Sequence, residues 1–228
     1  MQDPDASPFN ALPPVVVALA VAIFGVELLF MLTKSGLIGG TRGGEDWRIF
    51  ALQRFAFSGE IFDWMVETGR WPVEHLLRFV TYPFVHFSFT QMIFVVVFVL
   101  ALGKMVGEVF SPMAVLAVFF GASIVGALAY ALLLNDPRPL AGGFPGAYGL
   151  IGAYTLILWV GYGAAGENQY RAFTLIGFLL GIQLIFGLFF TVGNDWVAEI
   201  VGFLTGFAMS ALLAPGSFGR VLERLRRR

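Results

Sequence analysis

The sequence predicts an all-α protein embedded in a membrane, and three observations carry that prediction. Of its 228 residues, 58% are hydrophobic and 13% are charged, whereas a soluble domain carries about 25% charge. The mean hydropathy is +0.81. The apolar residues gather into six runs, near 13–33, 83–104, 112–134, 145–163, 171–191 and 195–214. Each is about 20 residues long, enough for a helix to cross roughly 30 Å of hydrocarbon. Turn-forming residues separate the runs: Phe110-Ser111-Pro112, Asn135-Asp136-Pro137-Arg138-Pro139, Gly166-Glu167-Asn168-Gln169 and Gly193-Asn194-Asp195.

The N-terminus reads Met1-Gln2-Asp3-Pro4-Asp5 and lacks the basic residues of a signal peptide, so the first run is expected to be a retained helix. Glu27 falls inside that run. It is expected to reach the interface or to pair with an arginine of the first loop such as Arg78. The stretch 34–82 mixes Trp47, Phe50, Phe55, Phe62 and Trp64 with Asp46, Arg48, Arg54, Glu60 and Glu67. Such mixing predicts amphipathic helices lying in the membrane plane. The tail over 215–228 carries five arginines, which favours the cytoplasm. Six spans then place the N-terminus there too, with Lys104 and Arg171 on the same side and Arg138 on the other. The whole of 1–228 reads as a single membrane domain, with its core over 13–214, an interfacial first loop over 34–82 and a basic tail over 215–228.

Several function classes are excluded or disfavoured. A net charge of −1 argues against a nucleic-acid partner. With no cysteine, disulfides, thiolate metal sites and cysteine nucleophiles are excluded. No cofactor or metal is expected, because no close ligand spacing brings Glu199, Asp195 and His86 together. The glycines at 142, 143, 146, 149 and 152 lie in an apolar span, so they read as close-packing positions rather than a phosphate cradle.

The sixth run holds an unusual group. Glu199 is a carboxyl within an apolar helix, in Ala198-Glu199-Ile200-Val201-Gly202-Phe203-Leu204-Thr205-Gly206. Ala198, Gly202 and Gly206 recur every fourth residue, a stripe on which another helix can approach closely. A carboxyl beside it is costly in lipid and is expected to face protein or water.

Two further motifs stand in order along the chain. Arg78-Phe79-Val80-Thr81-Tyr82-Pro83-Phe84-Val85-His86 leads to the second run, and Gly142-Gly143-Phe144-Pro145-Gly146-Ala147-Tyr148-Gly149-Leu150-Ile151-Gly152-Ala153 opens the fourth. With the sixth-run pattern, these resemble the rhomboid family of intramembrane serine proteases over roughly 13–214. The resemblance implies a bundle of six transmembrane helices with a membrane-lying first loop. It matches Arg78 and His86 to the family's Arg eight residues before a His. It also implies Gly-x-Ser-Gly on the fourth helix and Ala-His-x-x-Gly-x-x-x-Gly on the sixth.

The chemistry of that family needs a serine nucleophile, a histidine base and oxyanion donors. The serine position here is Pro145 when aligned on Gly143 and Gly146, and Phe144 when aligned on Gly149-Leu150-Ile151-Gly152-Ala153. The histidine position is Glu199. The polar pair on the family's second helix becomes Gln91 and Val95. No serine stands between Ser123 and Ser210, and the histidines are His75 and His86 alone. The resemblance therefore implies an inactive member, not an enzyme, that binds transmembrane clients or partner membrane proteins as an adaptor, quality-control or assembly factor. Its partners would be membrane lipid, client spans and possibly a membrane protease or multi-subunit complex. Its location would be a bacterial-type inner membrane, with both termini cytoplasmic.

His86, Gln91, Tyr148, Glu199, Gly202 and Gly206 are the candidate client-binding or structural residues. Glu199 is expected to hydrogen-bond to Gln91, to Tyr148 or to a carbonyl of the fourth-helix loop. Asp195, one turn earlier, reads as a helix-start acid. Two alternatives stand beside this reading: an intramembrane peptidase with a non-standard active site, and a small transporter.

Overall fold

Proline and serine set where most of the long helices begin. The computed structural model describes residues 11–38, 44–134, 136–189 and 193–214. Helix α1 (Pro14–Lys34) starts on a proline, whose missing N–H is harmless in a first turn. The first loop then folds into α2 (Gly44–Phe55), α3 (Gly59–Thr68), α4 (Val73–Leu76), α5 (Arg78–Thr81) and a 3₁₀ turn at Tyr82–Phe84. The remaining helices are α6 (Phe89–Gly107), α7 (Pro112–Leu133), α8 (Phe144–Ala164), α9 (Thr174–Phe189) and α10 (Trp196–Leu213), with a second 3₁₀ turn at Gln169–Phe173. Among the described residues the sole strand-like pairing is an antiparallel bridge between Phe57 and Leu140.

Helices α1, α6, α7, α8 and α10 are long and apolar enough to cross a membrane. The chain is thus an all-α integral membrane protein. Two boundaries differ from the sequence expectation. The second span begins at Phe89 rather than near 83: Pro83 lies in the 3₁₀ turn, and the Ser88 hydroxyl caps α6 by accepting from the Gln91 N–H at 3.1 Å. In the fifth run α9 begins only at Thr174, because the 3₁₀ turn takes up Gln169–Phe173, while residues 190–192, where the run was expected to end, lie outside the described residues. The basic tail over 215–228 lies outside the described residues.

The centre of the bundle is α8, which packs on α6, α7 and most extensively on α10. Pro145 through Ala153 are all buried. The small-residue stripe of α10 makes this possible. A Cβ on Gly206 would overlap the Gly149 carbonyl, one on Gly202 would overlap the Pro145 carbonyl, and one on Gly152 would overlap the backbone of Phe203. Backbone meets backbone along the seam, so van der Waals contact is gained where lipid gives helices no hydrophobic drive to associate.

The first loop is a packed body as well as an amphipathic one. Phe57, Phe62, Met65, Phe79 and Tyr82 form a buried cluster with Ala127, Tyr130 and Ala131 of α7. On its other side Trp47, Ile49, Phe50, Phe55, Trp64 and Trp71 are exposed. This loop covers the bundle end at which α8 and α10 begin.

Candidate functional site

The segment that feeds α8 is hydrogen-bonded at every residue from Leu140 to Gly143. Leu140 exchanges both backbone bonds with Phe57, at 3.0 and 2.8 Å. The Ala141 carbonyl accepts from the Gln91 amide at 3.1 Å. The Gly142 N–H donates to the Tyr82 carbonyl at 3.0 Å, and the Gly143 N–H donates to His86 Nε2 at 3.3 Å. Gly142 has φ +102°, a conformation L-residues rarely adopt, and a Cβ there would stand 2.7 Å from Gln91 Nε2.

His86 is a structural acceptor here. Its Nε2 receives the Gly143 N–H, so its own proton is on Nδ1, on the side of the Phe84 backbone. Burial pushes its pKa down to about 4, with the Phe84 bond opposing and the Arg48 guanidinium reinforcing that shift. The imidazole is neutral at pH 7. Gln91 is similarly occupied. Its amide nitrogen holds Ala141 and its oxygen accepts from the Phe87 N–H at 2.9 Å. Val95 is fully buried and packs on Gly143.

A second tether runs back to α1. Glu27 is 1% exposed, and Arg48 of α2 grips it with both guanidinium nitrogens, at 2.9 and 2.5 Å. One of those nitrogens also donates to the His86 carbonyl at 2.9 Å. The expected pairing of Glu27 with a first-loop arginine is thus made, but by Arg48 rather than Arg78. Arg78 instead donates to the carbonyls of Ala56 and Gln53, at 2.7 and 2.8 Å, tying the α2–α3 junction. Arg48 was indistinguishable in sequence from Arg54 and Arg78, so no local signal marked it.

The positions matched to the catalytic pair come together at the α8–α10 seam. Pro145 abuts Gly126 of α7 and Gly202 of α10, next to the Ala198 carbonyl. Phe144 turns the other way, with its ring edge-on to Phe98 of α6 at 6.4 Å. Of the two alignments, the one through Pro145 therefore puts its residue against the sixth helix. Ser123 also lies beside this turn, against Gly146, with its hydroxyl donated to the Phe119 carbonyl at 2.8 Å.

Glu199 is 6% exposed. It accepts a short bond from the Gln183 amide of α9, with Tyr148 of α8 close by. Gln91 is not its partner, because that amide faces Ala141. Gln183 was missed in the sequence, although it is a lone amide in the apolar run from Leu175 to Phe190, and such residues in a span generally act between helices. Gly202 and Gly206 lie on the α8 contact.

Above Glu199, Asp136 accepts from the Arg138 side chain at 2.9 Å and from Asn194 at 2.7 Å, joining the loops before α8 and α10. The Arg138 bonds hold the Asp136 carboxyl well below the usual carboxylate range. Asp195 stands at the N-cap of α10 without a capping side-chain bond, and burial raises its pKa. Among the described residues no group of three His, Asp or Glu side chains is placed to hold a metal ion.

An apolar bundle with a glycine-lined sixth helix, a structured first loop and a glycine-rich turn into the fourth helix defines a multi-pass membrane protein. Its class is confirmed by comparison: the Rhomboid domain family matches residues 73–216. That is more than half of the chain, and the protein belongs to the rhomboid family. No curated protein matches it.

Proposed function

We propose that this rhomboid-family protein is non-proteolytic and binds the transmembrane segments of client or partner membrane proteins, in an adaptor, quality-control or assembly role. The observation that carries the reading is the pairing of Pro145 with the α10 stripe that bears Glu199. Proline offers neither a nucleophile nor an N–H. The glycine turn beside it has its Gly142 and Gly143 N–H groups engaged by Tyr82 and His86. An oxyanion would need such donors free. Gln91 and Val95 give no substitute, because the amide is bonded to Ala141 and the valine is apolar.

On this reading, clients meet the bundle between its second and fifth spans, α6 and α9. The exposed aromatic residues of the first loop lie at the lipid headgroups. The protein resides in a bacterial-type inner membrane with both termini cytoplasmic, and the arginine-rich tail contacts anionic lipid.

The test uses the full chain in liposomes with a panel of transmembrane substrates and a fluorophosphonate probe, alongside photo-crosslinking purification from the native membrane. No cleavage, no labelling and recovery of membrane proteins as crosslinked partners are expected. Cleavage, or labelling that disappears in Glu199→Ala, would instead establish a peptidase with a non-standard site. Mapping the labelled peptide would then separate Ser123 from other nucleophiles.

A further inference from the structure

The α9–α10 seam is joined very differently from the α8–α10 seam. The first turns of α9 bury Ile176 and half-bury Leu179 and Leu180 against the core. Past them Ile182, Leu184 and Ile185 are exposed. A Cβ on Gly177 or Gly181 would meet nothing within 4 Å. Among the described side chains Gln183 crosses the seam, on the same face as Ile176 and Leu179, and it donates to Glu199. Its other end, Oε1, is buried with no hydrogen-bond partner among the described residues. A buried acceptor without a partner is costly, and most such groups in folded proteins are satisfied. This one lies where α9 can shift without separating two packed backbones.

Resting on the client-binding reading above, we infer that the Gln183–Glu199 pair is a recognition site for a hydrogen-bond donor carried within a client's transmembrane segment. The donor side chain, such as that of Asn, Gln, Ser or Thr, occupies Gln183 Oε1, with the Glu199 carboxyl beside it. Purely apolar spans gain nothing from the site, since lipid solvates them equally well. The chemistry therefore selects spans with a polar residue at the depth of the first turn of α10.

The experiment uses the full chain in nanodiscs with synthetic Leu/Ala transmembrane helices. Each carries a diazirine-leucine next to a single Asn, moved through four successive positions, or next to Leu as control. The expected result is about threefold greater capture for one Asn register, as for one interhelical hydrogen bond in a membrane, with crosslinks mapping to α9 or α10. That preference is lost in Gln183→Leu and kept in Glu199→Gln, which preserves an amide partner. Unchanged thermal unfolding shows that both variants are folded. Equal capture of Asn and Leu helices, or a preference that survives Gln183→Leu, would overturn the inference and leave client binding standing. Capture of neither helix would remove the client-binding reading and the inference together.

Discussion

In α8, Gly146, Gly149 and Gly152 each have a ring or a backbone pressed against them, whereas Gly177 and Gly181 of α9 face open space. Both helices reach the end of the bundle covered by the first loop. One is locked there by glycine contacts and by four hydrogen-bonded residues in the segment before it. Among the described side chains of the other, Ile176, Leu179 and Leu180 pack on the core and the Gln183 amide bonds to Glu199. The same residue type thus has opposite meanings in two neighbouring helices. On α8 glycine is a requirement of contact, and on α9 it leaves a smooth and lightly held surface.

The contrast is tested most severely at the α1 tether. Replacing Arg48 by Leu leaves the buried Glu27 carboxyl without its partner and the His86 carbonyl without a donor. Breaking such a buried pair costs about 3–5 kcal/mol. Thermal or denaturant unfolding in micelles should show that loss, with faster hydrogen exchange at Gly143. If stability were unchanged, the fixed wall would not depend on this tether.

A slightly smaller effect should appear on acidification. His86 has a folded pKa near 4, below the value of about 6.5 for a free imidazole. Between those values the unfolded chain binds a proton that the folded chain does not, so stability falls as pH falls through that window and is flat above it. The full difference is about 3 kcal/mol. That contribution should be absent in His86→Gln, and the difference between the two proteins isolates it from the carboxyl groups that still titrate, Asp136 and Asp195 among them. An identical pH profile in both would show that the Gly143 bond does not depend on a neutral imidazole.

The smallest effect belongs to α9. Gln183→Leu removes one interhelical bond, which in membrane proteins averages about 0.6 kcal/mol. Unfolding should barely change, while exchange or spin-label mobility in the outer half of α9 should rise. A loss as large as that of Arg48→Leu would mean that α9 is as firmly held as α8, and the contrast would collapse.

Much of this site was legible in the residues themselves. Ala198, Gly202 and Gly206 announced a close helix contact, because only small side chains at every fourth position let backbones touch. Glu199 announced a polar partner, because a carboxyl in an apolar helix must find one. The partners were less legible. Gln91 and Gln183 are chemically equal candidates for Glu199, and they differ only in which helix face the bundle turns inward. Arg48, Arg54 and Arg78 were equal candidates for Glu27. The fold gives Arg48 the carboxylate, Arg78 two backbone carbonyls, and Arg54 an exposed bridge to Glu74 at 2.9 Å.

From sequence alone came the membrane class, the all-helical fold, the family resemblance and the residues standing at the catalytic positions. These follow from local quantities: run length, hydropathy, turn chemistry and motif spacing. The tertiary structure decided that Pro145 rather than Phe144 meets the sixth helix, and that the second span begins at Phe89. It also decided that His86 accepts from Gly143, and that Glu199 reaches across to Gln183. Those outcomes depend on how helices rotate and cross, which is set by contacts between residues far apart in the chain and is written in no single segment.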